Sequence, residues 1–255
     1  MTDHIVTELV DGVLTVRLNR PEKKNALTAD MYSAMADALD RAGSDRDVKT
    51  LLFCGTGGVF TAGNDLNDFL NEPPTGPDSP VNRFIGAIVT TDVPIVAAVD
   101  GAAVGIGTTM LLHFEQVLAT ERCRFSLPFI NLALVPEAGS SLLLVETCGY
   151  RNAAELLMLG EPFNGVQARH YGIVSHLCEP AELERRAAEL ARKLASKPRD
   201  ALRATKRLMR RPAEPVTKRI EMEMQQFAEM LAAPAAREAF TAFLEKRKPN
   251  FEPYN

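Results

Sequence analysis

Apolar and polar positions follow two different periods along this chain, and the switches between them mark out its elements. Val6 to Arg17 holds two strand-like runs around Asp11-Gly12 and predicts a hairpin, because Asp-Gly is a favoured two-residue turn. Leu18 to Asn25 is a polar loop. Thr28 can then cap a helix whose Met31, Met35 and Leu39 share one face at i, i+4 and i+8. Val48 to Cys54 reads as a strand, Gly55 to Gly63 as a glycine-rich loop, and a short helix is expected from about Asp65. Asn71 to Pro80, NEPPTGPDSP, predicts a surface loop or flap. Pro94 to Val99 is an apolar run that reads as a buried strand ending at Asp100-Gly101. Gly105-Ile106-Gly107 follows, and a helix-like apolar segment continues through Leu112. Arg151 to Leu159 reads as a helix and Gly172 to Leu177 as a strand.

Beyond Leu177 the strand period disappears. Leu183, Leu190 and Leu194 mark one helix, and Pro198 and Pro212 bracket a basic helix from Arg199 to Arg211. Ile220, Met224, Phe227 and Leu231 form a third stripe, and Phe240, Phe243 and Leu244 a fourth. The pattern therefore places a boundary near Glu179: an α/β core over residues 1–179 and a helical region over 180–255. Such a region needs a surface for its apolar stripes, either the core or another subunit.

Composition narrows the class. The chain has 255 residues, 46% of them hydrophobic, which suffices for a sizeable core. Its formal net charge of −4 gives no reason to expect a nucleic-acid partner, so the basic helix reads as a solvated face. The four cysteines, Cys54, Cys123, Cys148 and Cys178, lack paired spacing, which argues against a zinc site or a disulfide framework and suits a reducing compartment. The N-terminal MTDHIVTELV has no signal pattern, and no apolar run approaches the ~20 residues of a membrane helix. These features predict a cytoplasmic protein without a membrane partner.

The chemistry concentrates between Asp92 and Ser141. Glycines at a strand-to-helix junction let backbone approach a ligand closely, and amides at a helix start suit a developing anion. In Pro136-Glu137-Ala138-Gly139-Ser140-Ser141 a single carboxylate stands among apolar and small residues. Glu137 reads either as an acid/base group or as a first-turn glutamate complementing a helix dipole. A dinucleotide loop is disfavoured, because Met110 occupies the third glycine position of G-x-G-x-x-G and no acidic residue follows at the required distance. Asp65 reads as a helix cap or a substrate contact, and His113, four residues after Thr109, as a packed histidine.

Six segments in order carry a resemblance. LNRPEKKNAL (Leu18–Leu27), FTAGNDL (Phe60–Leu66), PIVAAVDGAAVGIG (Pro94–Gly107), FSLPFINLALVPEAGSS (Phe125–Ser141), GVQARHYGIVSHL (Gly165–Leu177) and FLEKRKPNF (Phe243–Phe251) resemble the crotonase, or enoyl-CoA hydratase/isomerase, superfamily. The resemblance implies a spiral of strand-strand-helix units, a C-terminal helical region used in trimer assembly, and an acyl-CoA thioester as ligand. It implies no cofactor apart from the coenzyme A of the substrate, and a homotrimer or a hexamer of two trimers. By motif position the backbone amides of Asn64 and Ile106 hold the thioester oxygen. Ile106 stands where the family often has glycine. Lys23, Lys24 and Lys246 or Lys248 are the expected contacts to the coenzyme A phosphates. Ala26, Ala62, Gly63, Asp65, Leu66, Gly105, Thr109 and Phe129 complete the expected substrate surround.

Two departures from the family pattern select a reaction. Enoyl-CoA hydratases carry two glutamates where this chain has Thr109 and Phe129, neither of which can serve as a general base. One carboxylate remains, Glu137, and LALVPEAGSS is similar to the single-glutamate 3-enoyl-CoA isomerases. The expected activity is isomerisation of a 3-enoyl-CoA to the trans-2-enoyl-CoA, with one carboxyl moving the proton. Other expectations are hydratase-like chemistry on another acyl-CoA and acyl-CoA binding without turnover. Leu134, Val135 and Pro136 are expected to supply the apolar setting that raises the Glu137 pKa.

Overall fold

The computed structural model describes residues 4–65, 67–68, 76, 78–210 and 233–254. Strand β1 (Ile5–Val10) returns as β2 (Val13–Leu18) through Asp11 and Gly12, which are left-handed at φ 53° and 76°. That backbone matches the twist of paired strands. Helix α1 (Ala29–Ser44) starts where Thr28 accepts the Met31 amide, and it buries Met31, Met35 and Leu39. Strand β3 (Thr50–Gly55) follows, then α2 (Pro80–Thr90). Helix α2, absent from the elements the sequence pattern predicts, buries Phe84 and Ile88, with Val81 and Ile85 half-buried beside them on one apolar stripe. Next come β4 (Ile95–Val99), β5 (Ala102–Val104) and α3 (Ile106–Thr109), which runs on as a 3-10 turn, Met110–His113. After β6 (Gln116–Ala119) and β7 (Arg124–Ser126) come α4 (Ser140–Cys148), α5 (Tyr150–Leu159), β8 (Phe163–Asn164), α6 (Gly165–His170) and β9 (His176–Leu177). Helices α7 (Leu183–Ala195), α8 (Arg199–Met209) and α9 (Pro234–Leu244) finish the described chain.

Six strands form one sheet in the order β1-β2-β3-β4-β6-β9, all parallel after the hairpin. A second layer holds β5-β7-β8, extended by parallel bridges from Thr61 to Ala103 and from Leu27 to Asn64. Three neighbouring strands of the large sheet are thus each followed by a short piece in the second layer: β3 by residues 61–64, β4 by β5, β6 by β7. This is the crotonase spiral. Along β3 and β4 the side chains alternate between two cores. Leu51, Phe53, Ile95 and Ala97 face one, while Leu52, Cys54, Val96 and Ala98 face the other. Both faces being covered, the strands read as unbroken apolar runs.

Helix α7 covers the second face with Leu183, Ala187, Ala191 and Ala195, one i,i+4 seam of mostly small residues. Leu190 and Leu194, expected on that stripe, flank it half-buried. The basic helix α8 is not a solvated face: Lys206 is buried, its ammonium donating to the Val93 carbonyl at 2.6 Å and pairing with Glu115 at 2.9 Å. The strand expected over Gly172–Leu177 shrinks to its last two residues, because the Ile173 and Val174 amides turn back to the Ala168 carbonyl at the end of α6. The stripe from Ile220 to Leu231, most of the Asn71–Pro80 loop, and the side chains of Phe240, Phe243 and Leu244 lie outside the described residues. Among the described residues no helix is long and apolar enough to cross a membrane.

Candidate active site

Two backbone amides define one end of the site. In the Leu27–Asn64 bridge, Leu27 donates to the Gly63 carbonyl at 2.8 Å and Asp65 donates to the Leu27 carbonyl at 2.9 Å. Alternation along an extended segment turns the Asn64 amide to the opposite side. Thr61 pairs in parallel with Ala103, and its carbonyl accepts the Val104 amide at 3.1 Å. Gly63 runs so close to this neighbour that a Cβ would stand 2.7 Å from the Val104 carbonyl oxygen, and its φ is 86°. Gly105, at φ 55° and ψ −118°, turns the next segment into α3, where Ile106 is the first residue. A first-turn amide has no acceptor within its helix. Among the described residues neither the Asn64 nor the Ile106 amide finds a protein acceptor.

Side chains missed by sequence reasoning fix this loop. Asn25 is fully buried and donates to the Val59 carbonyl at 2.7 Å and the Thr56 carbonyl at 3.0 Å. The Thr61 hydroxyl donates to the Asn25 carbonyl at 2.7 Å and accepts the Gly63 amide at 3.0 Å. The Tyr32 hydroxyl donates to the side-chain oxygen of Asn64. Tyr32 is buried beside Met31, so its only sequence signal was a polar-tipped aromatic within a core stripe.

Glu137 forms the other side. It lies two residues before Gly139, the cap of α4, and its carboxyl accepts the Thr109 hydroxyl. It is therefore not a first-turn glutamate of α4. Burial pushes its pKa up to about 7, against a smaller lowering by the Thr109 bond. Tyr32 is pushed well above the usual tyrosine value by burial and, secondarily, by the nearby Glu137 charge. The apolar setting does not come from Leu134 and Val135, which are exposed, Val135 by 80%. Buried Thr109, on α3, meets the carboxyl, and the buried tyrosine of α1 feels its charge. The Ser140 hydroxyl and amide both donate to the Glu137 carbonyl, at 2.7 and 3.0 Å, and the His113 ring meets the Ala138 carbonyl at 2.8 Å.

The remaining expected residues fall into groups. Thr109 and Phe129 are both buried. Asp65 is committed to Arg20 at 2.7 Å and to the Asn67 amide at 3.1 Å, so its carboxylate is a cap and ion pair and is held low chiefly by Arg20. Lys23 and Lys24 are exposed at the 3-10 turn Pro21–Lys23, and the Lys24 carbonyl accepts the Ala62 amide at 2.9 Å. The Ala26 carbonyl accepts from Arg20 at 3.0 Å. Leu66 lies outside the described residues. Lys246 is exposed beyond α9, and among the described residues no hydrogen bond or ion pair joins it to the site.

A two-layer spiral that presents two amides without acceptors among the described residues and one half-buried carboxyl defines a protein of the crotonase class. The chain belongs to the enoyl-CoA hydratase/isomerase family, whose model matches residues 8–253. It is 33% identical to the 1,2-epoxyphenylacetyl-CoA isomerase of Escherichia coli K12, over 98% of this chain and 99% of that protein. It is 31% identical to human enoyl-CoA delta isomerase 2, over 81% of this chain and 54% of that protein. A solved structure from Magnetospirillum magneticum AMB-1, described as an enoyl-CoA hydratase/carnithine racemase, superposes with a TM-score of 0.96 at 45% identity, covering 99% of this chain and 100% of that one.

Proposed function

We propose that this chain isomerises a 3-enoyl-CoA thioester to the conjugated 2-enoyl-CoA, with Glu137 as its acid/base. The observation that carries the reading is the half-buried Glu137 carboxyl, bonded to the buried Thr109 hydroxyl and with its pKa raised to about 7. A group poised at the working pH can both take and return a proton. Its carboxylate removes a proton from C2, the electron pair shifts into the thioester, and the Asn64 and Ile106 amides hold the resulting oxyanion. The protonated acid then delivers the same proton to C4. One fixed donor aimed at such an oxygen can supply roughly 3 kcal/mol. Neither water nor a second base enters, in keeping with Thr109 and Phe129 at the positions of the hydratase glutamates.

Lys23, Lys24 and Lys246 are proposed contacts to the coenzyme A phosphates, and no further cofactor is required. Assembly as a trimer or hexamer in the cytoplasm completes the reading. It is supported by the exposed apolar side chains Ile130, Leu132, Leu142, Tyr150, Met158 and Leu159. The match to 1,2-epoxyphenylacetyl-CoA isomerase over nearly the whole chain favours a second reading, the same base and amides acting on a different acyl group.

The decisive assay follows 3-enoyl-CoA to 2-enoyl-CoA with the native chain and Glu137→Gln in parallel, and sedimentation of the same samples counts the copies. Turnover that falls at least 10³-fold in the variant, a loss in the range of removing an essential catalytic group, with acyl-CoA still bound, is the expected result. Turnover unchanged in the variant overturns the role of Glu137. Binding without turnover by either chain moves the reading to another acyl group or to a binding protein.

A further inference from the structure

The turn that carries Glu137 buries Ala138 but is entered through exposed chain. Residues 131–135 leading into it are exposed, and Ala133 and Ala138, neither a glycine, are left-handed at φ 56° and 51°. A turn entered through exposed chain and holding two such residues needs contacts from elsewhere to hold one geometry. Thr109 supplies one at the carboxyl, and Ser140 supplies two at the Glu137 carbonyl. His113 supplies another, at the Ala138 carbonyl. A carbonyl can only accept, so Nε2 carries the hydrogen in this contact. Burial holds the imidazole below the usual histidine value, which keeps it in the neutral form.

We propose that His113 is a positioning residue for Glu137, its Nε2–H gripping the Ala138 carbonyl so that the carboxyl stays beside Thr109. Thr109 and His113 are one helical turn apart on the same segment, and between them they hold Glu137 by its carboxyl and by the adjoining backbone. His113 is itself braced from the C-terminal region. Arg210 donates to the His113 carbonyl and to the carbonyls of Ile88 and Thr91 at 3.2 Å, and it pairs with Glu115 at 3.3 Å. The residue that follows α8 thus reaches the acid/base turn through one histidine. This inference rests on Glu137 being the acid/base group.

Three variants separate positioning from bulk stability. In His113→Gln the side-chain amide reaches about as far as Nε2 and keeps a donor. In His113→Asn the donor falls one methylene short, and in His113→Met there is none. Displacing a reacting group by an ångström can cost 10²-fold. The Asn and Met variants are therefore expected to lose roughly 10- to 100-fold in kcat with KM within about two-fold of the native value, while Gln retains the native kcat. A second readout needs no substrate: the Glu137 carboxyl followed by ¹³C NMR, assigned by its absence from the Glu137→Gln spectrum. It should titrate near 7 in the native chain and in the Gln variant, and shift toward the ordinary carboxylate value in Asn and Met. A native titration in the Asn and Met variants overturns the inference, as does a Gln variant that behaves like Met. If the native chain fails to isomerise 3-enoyl-CoA, the isomerase reading fails and the titration still decides the role of His113.

Discussion

At the scale of single residues, the raised pKa that suits Glu137 to its proposed role also costs the fold stability. Its pKa stands at about 7 against an ordinary 4.5. Between those values the folded chain keeps a proton that the unfolded chain has released. Stability therefore falls as pH rises through that window, and the full penalty, roughly 3 kcal/mol, is present above it. Glu137→Gln should accordingly be more stable than the native chain at pH 8, by roughly 5 °C in melting temperature, and no more stable at pH 4. Equal melting temperatures at both pH values would mean that the carboxyl is solvated. The sequence exposed Glu137 as an isolated carboxylate in an ordered motif, but it pointed to the wrong neighbours. Leu134 and Val135 adjoin it in the chain, whereas Thr109 meets its carboxyl, His113 meets the next carbonyl, and Tyr32 feels its charge. Asn25 and Tyr32 were illegible for the same reason, since their partners lie 30 to 40 positions away.

The elements most easily read were those with a local signal: the Asp11-Gly12 hairpin, the Thr28-capped helix, and the apolar strand ending at Val99. The short second-layer pieces, each two to four residues long, carry too few positions for any period to show. They nonetheless place the amides, and Gly63 is the position where this is most exposed to test. Ala at 63 would put a Cβ against the Val104 backbone carbonyl at 2.7 Å, with φ at 86°. Something must shift, and the neighbouring Asn64 amide shifts with it. We expect Gly63→Ala to lose roughly 10²-fold in kcat, the scale of one misplaced oxyanion donor. Gly43→Ala, in α1 with open space around it, should leave kcat untouched and raise stability by about 0.5 kcal/mol. Equal kcat in both variants would remove the close approach of the two segments from the account.

On the scale of the whole molecule, charge composition misled where burial decided. A helix carrying Arg199, Arg203, Lys206 and Arg207 looks solvated, yet it docks on the core through Asp92 and Glu115. Burial lowers the Lys206 pKa to about 8, and Glu115 only partly restores it. Because the unfolded chain binds that proton more tightly, Lys206 makes stability rise with pH between about 8 and its ordinary 10.5. Glu115→Gln would strand the buried ammonium and should cost about 3 kcal/mol at pH 7. Chemical denaturation should show that loss shrinking by pH 10, as Lys206 discharges. Arg185→Ala, which removes exposed pairs to Glu182 and Glu189, should leave the same denaturation curve unmoved. A flat response to Glu115→Gln would place α8 on the surface after all.

The spiral also dates the site. Successive turns of the winding deliver its parts in order: the Asn64 amide, then the Ile106 amide, then the Glu137 carboxyl, with Arg210 arriving last to brace it. On the proposed mechanism, a chain emerging from the ribosome carries the two amide donors before it carries the acid/base carboxyl. Any fragment ending short of residue 137 would lack the proposed acid/base, and one ending short of residue 210 would lack the arginine that braces His113.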